Sequence, residues 1–320
     1  MSHEELQQIH YESTTPTQTD GADKVKRTKR GIFFIVLSAF FFALMGLFVR
    51  LAGDLPTFQK CFFRNAIAML VAFATLCKSK SFKFKKGSLP ILIARSVAGT
   101  VGIVCNFYAI DHLAVADASI LNKLSPFFAI LFSAIILREK AGWKNWVLIA
   151  VAFFGALFVI KPSFSLQTTI PALVGVLGGF GAGLAYTFVR MLGGKGERTP
   201  VIVFFFSLFS SIAVLPMMII QFEPMQFIQV LYLLLAGLCA SVAQFSITTA
   251  YSCAPAREIS VFDYSQVLFS ALLGIFILWE FPDYLSVIGY VIIIGAGVVK
   301  YFIALREHKK QQKTNGVGTR

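Results

Sequence analysis

Ten apolar runs, each about as long as a membrane-spanning helix, constrain the fold of this chain more than any other feature. A helix needs about 20 apolar residues to cross the hydrocarbon core of a bilayer, and in lipid it satisfies its own backbone hydrogen bonds. We number the runs as spans 1 to 10, and they cover residues 31–51, 58–77, 89–110, 115–137, 143–160, 170–191, 200–221, 225–251, 256–279 and 284–304. The sequence therefore predicts an all-α membrane protein with ten transmembrane helices.

The composition argues against an ordinary soluble domain. Hydrophobic residues make up 57% of the 320 residues, charged residues 14%, and the mean hydropathy is +0.73. Soluble domains carry about 25% charged residues. The net charge of +13 does not indicate nucleic-acid binding, because the basic residues are concentrated in alternate connections, as cytoplasmic loops require. No nucleic-acid partner is expected.

The basic residues also predict the orientation of the chain. Clusters of Lys and Arg precede span 1 and follow spans 2, 4, 6 and 10, whereas the opposite connections carry the acids Asp54, Asp111, Glu223 and Asp283. Lys and Arg are enriched on the cytoplasmic side of membrane proteins. We therefore expect a multi-pass protein of the cell membrane with both termini in the cytoplasm. The polar tails, residues 1–30 and 306–320, are expected to be disordered.

The chain contains an internal repeat. A shift of 141 residues aligns residues 117–140 with residues 258–281. In this alignment Asn122 lies opposite Asp263 and Lys123 opposite Tyr264, so at these positions the charged residues of the two copies do not match. Each half, 31–165 and 166–305, holds five spans, and an odd number makes the second half enter the membrane from the opposite face. Two inverted five-helix repeats are typical of secondary transporters that work by alternating access, although a duplicated channel would have the same repeat.

Further motifs indicate a family. Spans 4 and 9 are rich in aromatic and small residues and end in matching elements, Leu137-x-Glu139 and Leu278-x-Glu280, while spans 5 and 10 carry the glycine-rich segments "VAFFGALFVIKP" and "GYVIIIGAGVVK". Between its tails the chain resembles the EamA family of the drug/metabolite transporter superfamily. The resemblance implies transport of amino acids, other metabolites or drugs. Relatives in the superfamily carry nucleotide sugars or triose phosphates, so the resemblance does not choose a substrate.

The candidate site is defined by two ionisable residues deep in apolar spans, Lys123 and Asp263. A charge at this depth costs ~2.5–3.5 kcal/mol on insertion scales and normally faces protein, water or a ligand. Residues on the same faces of spans 4 and 9, together with polar residues of spans 3, 6 and 8, complete the predicted substrate-binding set: Ser119, Asn122, Lys123, Asp263, Tyr264, Gln266, Asn106, Tyr186, Gln244 and Tyr251.

Four questions about this site and its surroundings stay open at the level of sequence. Straight helices with a rise of ~1.5 Å per residue would set Lys123 and Asp263 ~8 Å apart in depth, so a solute or a direct ion pair could join them. The other polar residues could instead connect helices. Arg64, inside span 2, could act in a gate, form a structural ion pair or contact the ligand. The glycines of span 6 could allow close helix packing or form a hinge.

No enzyme or cofactor site is predicted. HExxH, GxSxG and CxxC motifs are absent, and "GGKGERT" lacks the order of a P-loop. We expect a secondary transporter of a small polar organic solute, with an amino acid or related carboxylated metabolite preferred because Lys123 attracts carboxylates. Its partners are the solute and membrane lipid, and a coupling proton and a homodimer are left open. The alternative is a receptor or a lipid-organising scaffold that transports nothing.

Overall fold

The computed structural model describes residues 18–79, 84–136, 143–160, 166–253 and 260–317, and the secondary structure in these ranges is helical. We group the helices as α1 to α10, and their bounds are α1 Gln18–Leu51, α2 Thr57–Lys78, α3 Leu89–His112, α4 Val115–Asn122 and Ser125–Ile136, α5 Trp143–Ile160, α6 Leu166–Gly194, α7 Thr199–Ile220, α8 Phe227–Cys253, α9 Ser260–Tyr264, Ser265–Leu273 and Gly274–Leu278, and α10 Tyr284–Val317.

Most of these helices can cross a membrane. Eight are long and apolar enough by length and composition, whereas the apolar parts of α5 and α9, Trp146–Val159 and Phe262–Leu278, are shorter. Large apolar side chains such as Phe154 of α5 and Phe276 of α9 are exposed, as expected for surfaces that face lipid. The prediction of an all-helical multi-pass membrane protein is confirmed, and the ten-span count stays a prediction.

The two terminal helices are longer than expected. α1 begins at Gln18, within the predicted N-terminal tail, and α10 continues to Val317, within the predicted C-terminal tail. The added segments are rich in Lys, Arg and Gln, which are good helix formers. The charged tails therefore extend the apolar helices.

Helix pairing repeats with a shift of five helices. α1 packs against α8 and α9, and α6 packs in the same way against α3 and α4; α2 packs against α7, and α5 against α10. Exchanging each helix of the first half for its counterpart in the second half therefore reproduces these main pairings.

Contacts between the connections define the two ends of the bundle. At one end, which we call the Asp111 end, the Gln59 side chain donates to the Glu223 carbonyl at 2.9 Å and Thr57 donates to Asp111 at 2.9 Å. At the other, the Glu197 end, the Lys85 backbone N–H donates to the Glu197 carboxylate at 2.8 Å. α1 finishes at the Asp111 end and α6 at the Glu197 end, so these two helices run in opposite directions.

Candidate functional site

Helix α4 is interrupted at Lys123 and Leu124. In a continuous helix Pro126 would lack a donor and its ring would clash with the Asn122 carbonyl. The second segment instead starts at Ser125, which places Pro126 in a first turn, where its missing N–H is harmless. The Lys123 backbone N–H still donates to the Ser119 carbonyl at 3.0 Å. The lysine therefore stands at a helix break, and irregular backbone at membrane depth is tolerated where protein or a cavity surrounds it.

Helix α9 is irregular at the matching positions. Asp263 and Tyr264 belong to a 3₁₀ turn, Ser260–Tyr264, which passes into an α-helix at Ser265. The Ser265 hydroxyl donates to the Phe262 carbonyl at 2.7 Å, within this junction. Val267 occupies the position that corresponds to Pro126, so the irregularity in α9 has no equivalent proline.

The glycines of α6 let its backbone touch both neighbouring helices. A Cβ atom added to Gly179 would lie 2.8 Å from the Leu121 carbonyl oxygen, and one on Gly183 would lie 2.7 Å from that of Ser125. Both carbonyls flank the break in α4. Towards α3, a Cβ atom on Gly181 would lie 2.8 Å from the Ala98 oxygen. In the structure these glycines therefore allow close helix packing, which is one of the two roles expected for them.

Lys123 and Asp263 form a buried ion pair. Lys123 Nζ lies 2.7 Å from Asp263 Oδ2, and the two side chains are 2% and 0% exposed. The contact lies outside hydrogen-bond geometry, and within the described part of the chain neither Asp263 oxygen accepts a hydrogen bond. Straight helices would have separated the two residues in depth. The break in α4 and the long lysine side chain allow direct contact instead.

A cavity lined by both apolar and polar side chains lies beside this ion pair. Its volume is about 70 Å³ when measured as the space open to the centres of water molecules. One water needs ~10–15 Å³ on that measure, so the cavity has room for several waters or for polar groups of a solute. Helices of both halves contribute to its wall. Of the residues predicted to bind substrate, those in the wall are Asn106, Asn122, Lys123, Tyr186, Gln244 and Gln266.

The other predicted residues lie elsewhere. Asp263 is not in the cavity wall but pairs with Lys123, which is. The Ser119 and Ser270 hydroxyls share a hydrogen bond at 2.9 Å. Tyr264 belongs to an apolar cluster and packs so tightly against α10 that a Cβ atom on Gly297 would lie 2.4 Å from its ring. The side chain of Tyr251 lies outside the described residues. The shared helix face thus divides between the cavity, the ion pair and the core.

Two arginines also contribute to the cavity wall, Arg64 of α2 and Arg95 of α3. Their exposed fractions are 1% and 3%, and among the described residues neither forms a salt bridge. From the sequence, Arg64 is considered as a gate, a structural pair or a ligand contact, but Arg95 is not among the predicted residues. It lies well inside span 3, where the rule applied to Lys123, an ionisable residue within an apolar run, would have found it.

A second charged cluster joins the helices at the Asp111 end. Arg50 pairs with Glu280 at 3.0 Å and donates to the Asp111 carbonyl, while the Glu280 carboxylate accepts the Val115 backbone N–H at 2.9 Å. The preceding residue, Trp279, has the left-handed φ of 58°, a strained conformation for a bulky residue. Arg50 and Glu280, at the ends of α1 and α9, are thus partners. Glu139, the repeat counterpart of Glu280, lies outside the described residues.

Comparison with known proteins gives a family and several relatives. The model of the EamA-like transporter family matches twice, over residues 29–161 and 169–301. The pseudopaline exporter of Pseudomonas aeruginosa is 34% identical over 284 residues, which cover 88% of this chain and 98% of that protein. The S-adenosylmethionine uptake transporter of Rickettsia prowazekii is 23% identical over 294 residues, covering 90% of this chain and 96% of that protein.

A solved crystal structure shares the fold. It matches with a TM-score of 0.65 at 19% sequence identity, and the match covers 87% of this chain and 98% of that one. At this identity the likeness concerns the fold alone.

Proposed function

The chain belongs to the EamA-like transporter family, and from this premise we propose that it moves a small carboxylated organic solute across the cytoplasmic membrane by alternating access. The family and the relatives are transporters and not enzymes. One relative is named as an exporter and another as an uptake transporter. Small metabolites are therefore the class of cargo, and the direction of transport is to be measured.

The proposed architecture is ten spans in two inverted repeats, residues 31–165 and 166–305. The double match to one family model supports the duplication. Equivalent helix pairings in the two halves, and the opposite directions of α1 and α6, support the inversion. Such repeats place the solute between the halves and expose it alternately by moving one half against the other.

The observation that carries the substrate class is the position of Lys123, in the cavity wall and at the break of α4. A solute carboxylate that enters the cavity can bind the lysine ammonium and draw it from Asp263. Asp263 is then free to attract a solute ammonium group. The ion pair thus exchanges its partners when solute binds, which links binding to the packing of α4 against α9.

The same exchange supplies a route for proton coupling. When Lys123 turns to the solute, Asp263 is left buried without its cation, and we propose that either the solute ammonium group or a coupling proton takes that place. A proton bound there leaves when the ion pair forms again, and the carrier then works as a proton-coupled symporter or exchanger.

Flux into proteoliposomes tests this function. A thermal-shift screen against metabolites first identifies a solute, because a ligand of the folded state raises apparent stability. Wild-type flux of that solute should respond to an imposed pH gradient, and the Asp263→Asn variant should lose the response. Wild-type flux that ignores the gradient, with the charge state of the solute controlled, would remove the proton from the mechanism. Absence of flux for every solute that binds would overturn the transport proposal.

Thiol labelling tests the proposed orientation, with both termini in the cytoplasm. Ser79 lies at the Glu197 end and Asp283 at the opposite end, next to Glu280. In a background without native cysteines, an impermeant reagent applied to intact cells should label Asp283→Cys and leave Ser79→Cys unlabelled. The reverse pattern would place the termini outside.

A further inference from the structure

We propose that Arg64 and Arg95 form a second anion subsite in the cavity, so that the transported solute carries at least two carboxylate groups. This inference rests on the proposed function, because it takes the cavity to be the place where the solute binds. It goes beyond that function by specifying the charge of the solute. A carrier of ordinary monocarboxylic amino acids would need only Lys123 and Asp263.

The two guanidinium groups are placed to act together. Arg64 comes from α2 and Arg95 from α3, and both lie against the ring of Phe206 in α7, with their central carbons 5.8 and 3.6 Å from the ring centroid. All three residues are in the cavity wall. Attraction between a cation and an aromatic face restrains the guanidinium plane and does not use the N–H groups at its edge, which can still donate hydrogen bonds. The subsite is therefore preformed.

Hydrogen bonding at the arginines is incomplete. Arg64 Nη1 donates to Asn65 Oδ1 at 2.5 Å. In contrast, the buried Nε atoms of both arginines and Nη1 of Arg95 have no hydrogen-bond partner within the described residues. A buried donor without an acceptor is costly, and more so when the group is charged. Both arginines belong to one cavity wall, and their unused donors indicate that a group absent from the described chain accepts these hydrogen bonds when the side chains turn to it.

The charges of the cavity point to an anion as that acceptor. Lys123 is matched by Asp263, whereas in the described ranges no salt bridge neutralises Arg64 or Arg95. The two arginines act on each other electrostatically, and like charges in a poorly solvated site repel. The cavity therefore has positive charge left over after the ion pair is counted. A solute with one carboxylate for Lys123 and a second for the arginines would balance it.

Carboxylate is the chemistry that fits this geometry best. The planar fork of an arginine binds a carboxylate through two parallel hydrogen bonds, and two arginines from different helices can each supply one fork. Organic phosphates offer similar charge and would also bind arginine. The carboxylate assignment therefore has to be tested directly against a phosphate monoester.

The test compares diacids with their half-amides, which match in shape and differ in one charge. The probes are glutamate with glutamine, aspartate with asparagine, and succinate with succinamate, each added to the purified protein in thermal-shift and calorimetric titrations. At least one diacid should bind about tenfold to a hundredfold more tightly than its half-amide, as hydrogen bonds to a charged group imply. Equal responses within every pair, including no response at all, would overturn the second carboxylate. Tighter binding of a phosphate monoester than of every diacid would overturn the carboxylate assignment.

Arginine variants locate the effect. Arg95→Met should abolish the preference for the diacid, and Arg95→Lys, which keeps the charge but not the fork, should retain part of it. Without ligand, Arg95→Met should unfold at the same or a higher temperature than wild type, because it removes an unpaired buried charge. An unchanged diacid preference, or a ligand-free protein that unfolds at a lower temperature, would make Arg95 structural and sink the proposal.

The outcomes separate this inference from the proposed function. If a monocarboxylic solute is carried and its flux depends on Lys123, the transport proposal stands and the arginine subsite fails. If diacids bind through Arg95 but no solute is carried in proteoliposomes, the subsite stands and the transport proposal fails.

Discussion

The described part of the chain contains two pairs of a buried lysine with an aspartate, and they differ in how completely the hydrogen-bonding capacity of the aspartate is used. Lys60 pairs with Asp111 near the end of the bundle, and the same carboxylate accepts a hydrogen bond from Thr57 at 2.9 Å. Lys123 pairs with Asp263 beside the cavity, where neither carboxylate oxygen accepts a hydrogen bond from the described residues. The lysines are buried alike, 1% and 2% exposed, whereas the aspartates are 14% and 0% exposed.

The difference separates a structural pair from one that can change partners. A buried ion pair contributes to stability when its remaining hydrogen-bonding capacity is used, as it is at Asp111, and is costly when it is not. Asp263 keeps unused acceptors, and its lysine faces a cavity. The first pair is therefore expected to hold helices together through the transport cycle, and the second to open whenever solute or a proton competes for it.

The largest effect is expected from removing the cavity lysine. Lys123→Ala should reduce transport of the identified solute by about a hundredfold, near the upper range for losing a charged hydrogen bond. It should also destabilise the protein by about 3–5 kcal/mol, because Asp263 is left buried and unpaired. The double variant Lys123→Ala, Asp263→Leu should recover most of that stability without recovering transport. Normal affinity and rate in the single variant would end the binding role of Lys123.

A smaller effect is expected from the matched lysine at the Asp111 end. Lys60→Met should destabilise the protein by about 1–3 kcal/mol, the cost of leaving a polar partner unsatisfied, since Asp111 keeps Thr57 and partial exposure. The solute should bind with unchanged affinity, as measured by calorimetry on the folded fraction. Loss of affinity comparable to that of the Lys123 variant would erase the distinction between the two pairs.

The smallest effect on stability is expected at the partly exposed pair of Arg50 and Glu280. Their side chains are 33% and 18% exposed, so Glu280→Gln should cost at most about 1 kcal/mol after solvent screening. It should also loosen the Asp111 end and raise the labelling rate of a cysteine introduced at Asn106, in the cavity wall, by up to about fivefold. The reagent is impermeant and is applied from the Asp111 side of the membrane.

Thr57→Val is the control for this measurement, since it removes a hydrogen bond at the same end without touching Arg50 or Glu280. The control should leave labelling unchanged. Equal labelling in wild type and Glu280→Gln would show that this pair does not help to close the cavity.

Sequence patterns were most informative where a single residue would be costly to transfer into lipid. Lys123 and Asp263 stand out because a charge in an apolar run is rare, and the structure brings them together. The same rule applied to Arg95 would have completed the arginine pair. Patterns were weaker for polar, uncharged residues: Ser119 and Tyr264 share a predicted face with Lys123, yet one bonds to Ser270 and the other packs against α10. One face of a helix contacts several neighbouring helices, so membership of that face does not predict which neighbour a side chain contacts.

By itself the sequence determined the class of the protein, its helical nature, the duplication and the two central charges, because hydrophobicity, repeat and charge at depth are properties of single segments. Only the tertiary structure decided that α4 breaks at Lys123, that α9 winds into a 3₁₀ turn at Asp263, and that two arginines meet at one ring without an acidic partner in the described chain. Those features depend on how closely helices approach and on which side chains share a space. Glycine contacts and side-chain reach set both, and they exist only after the helices have packed.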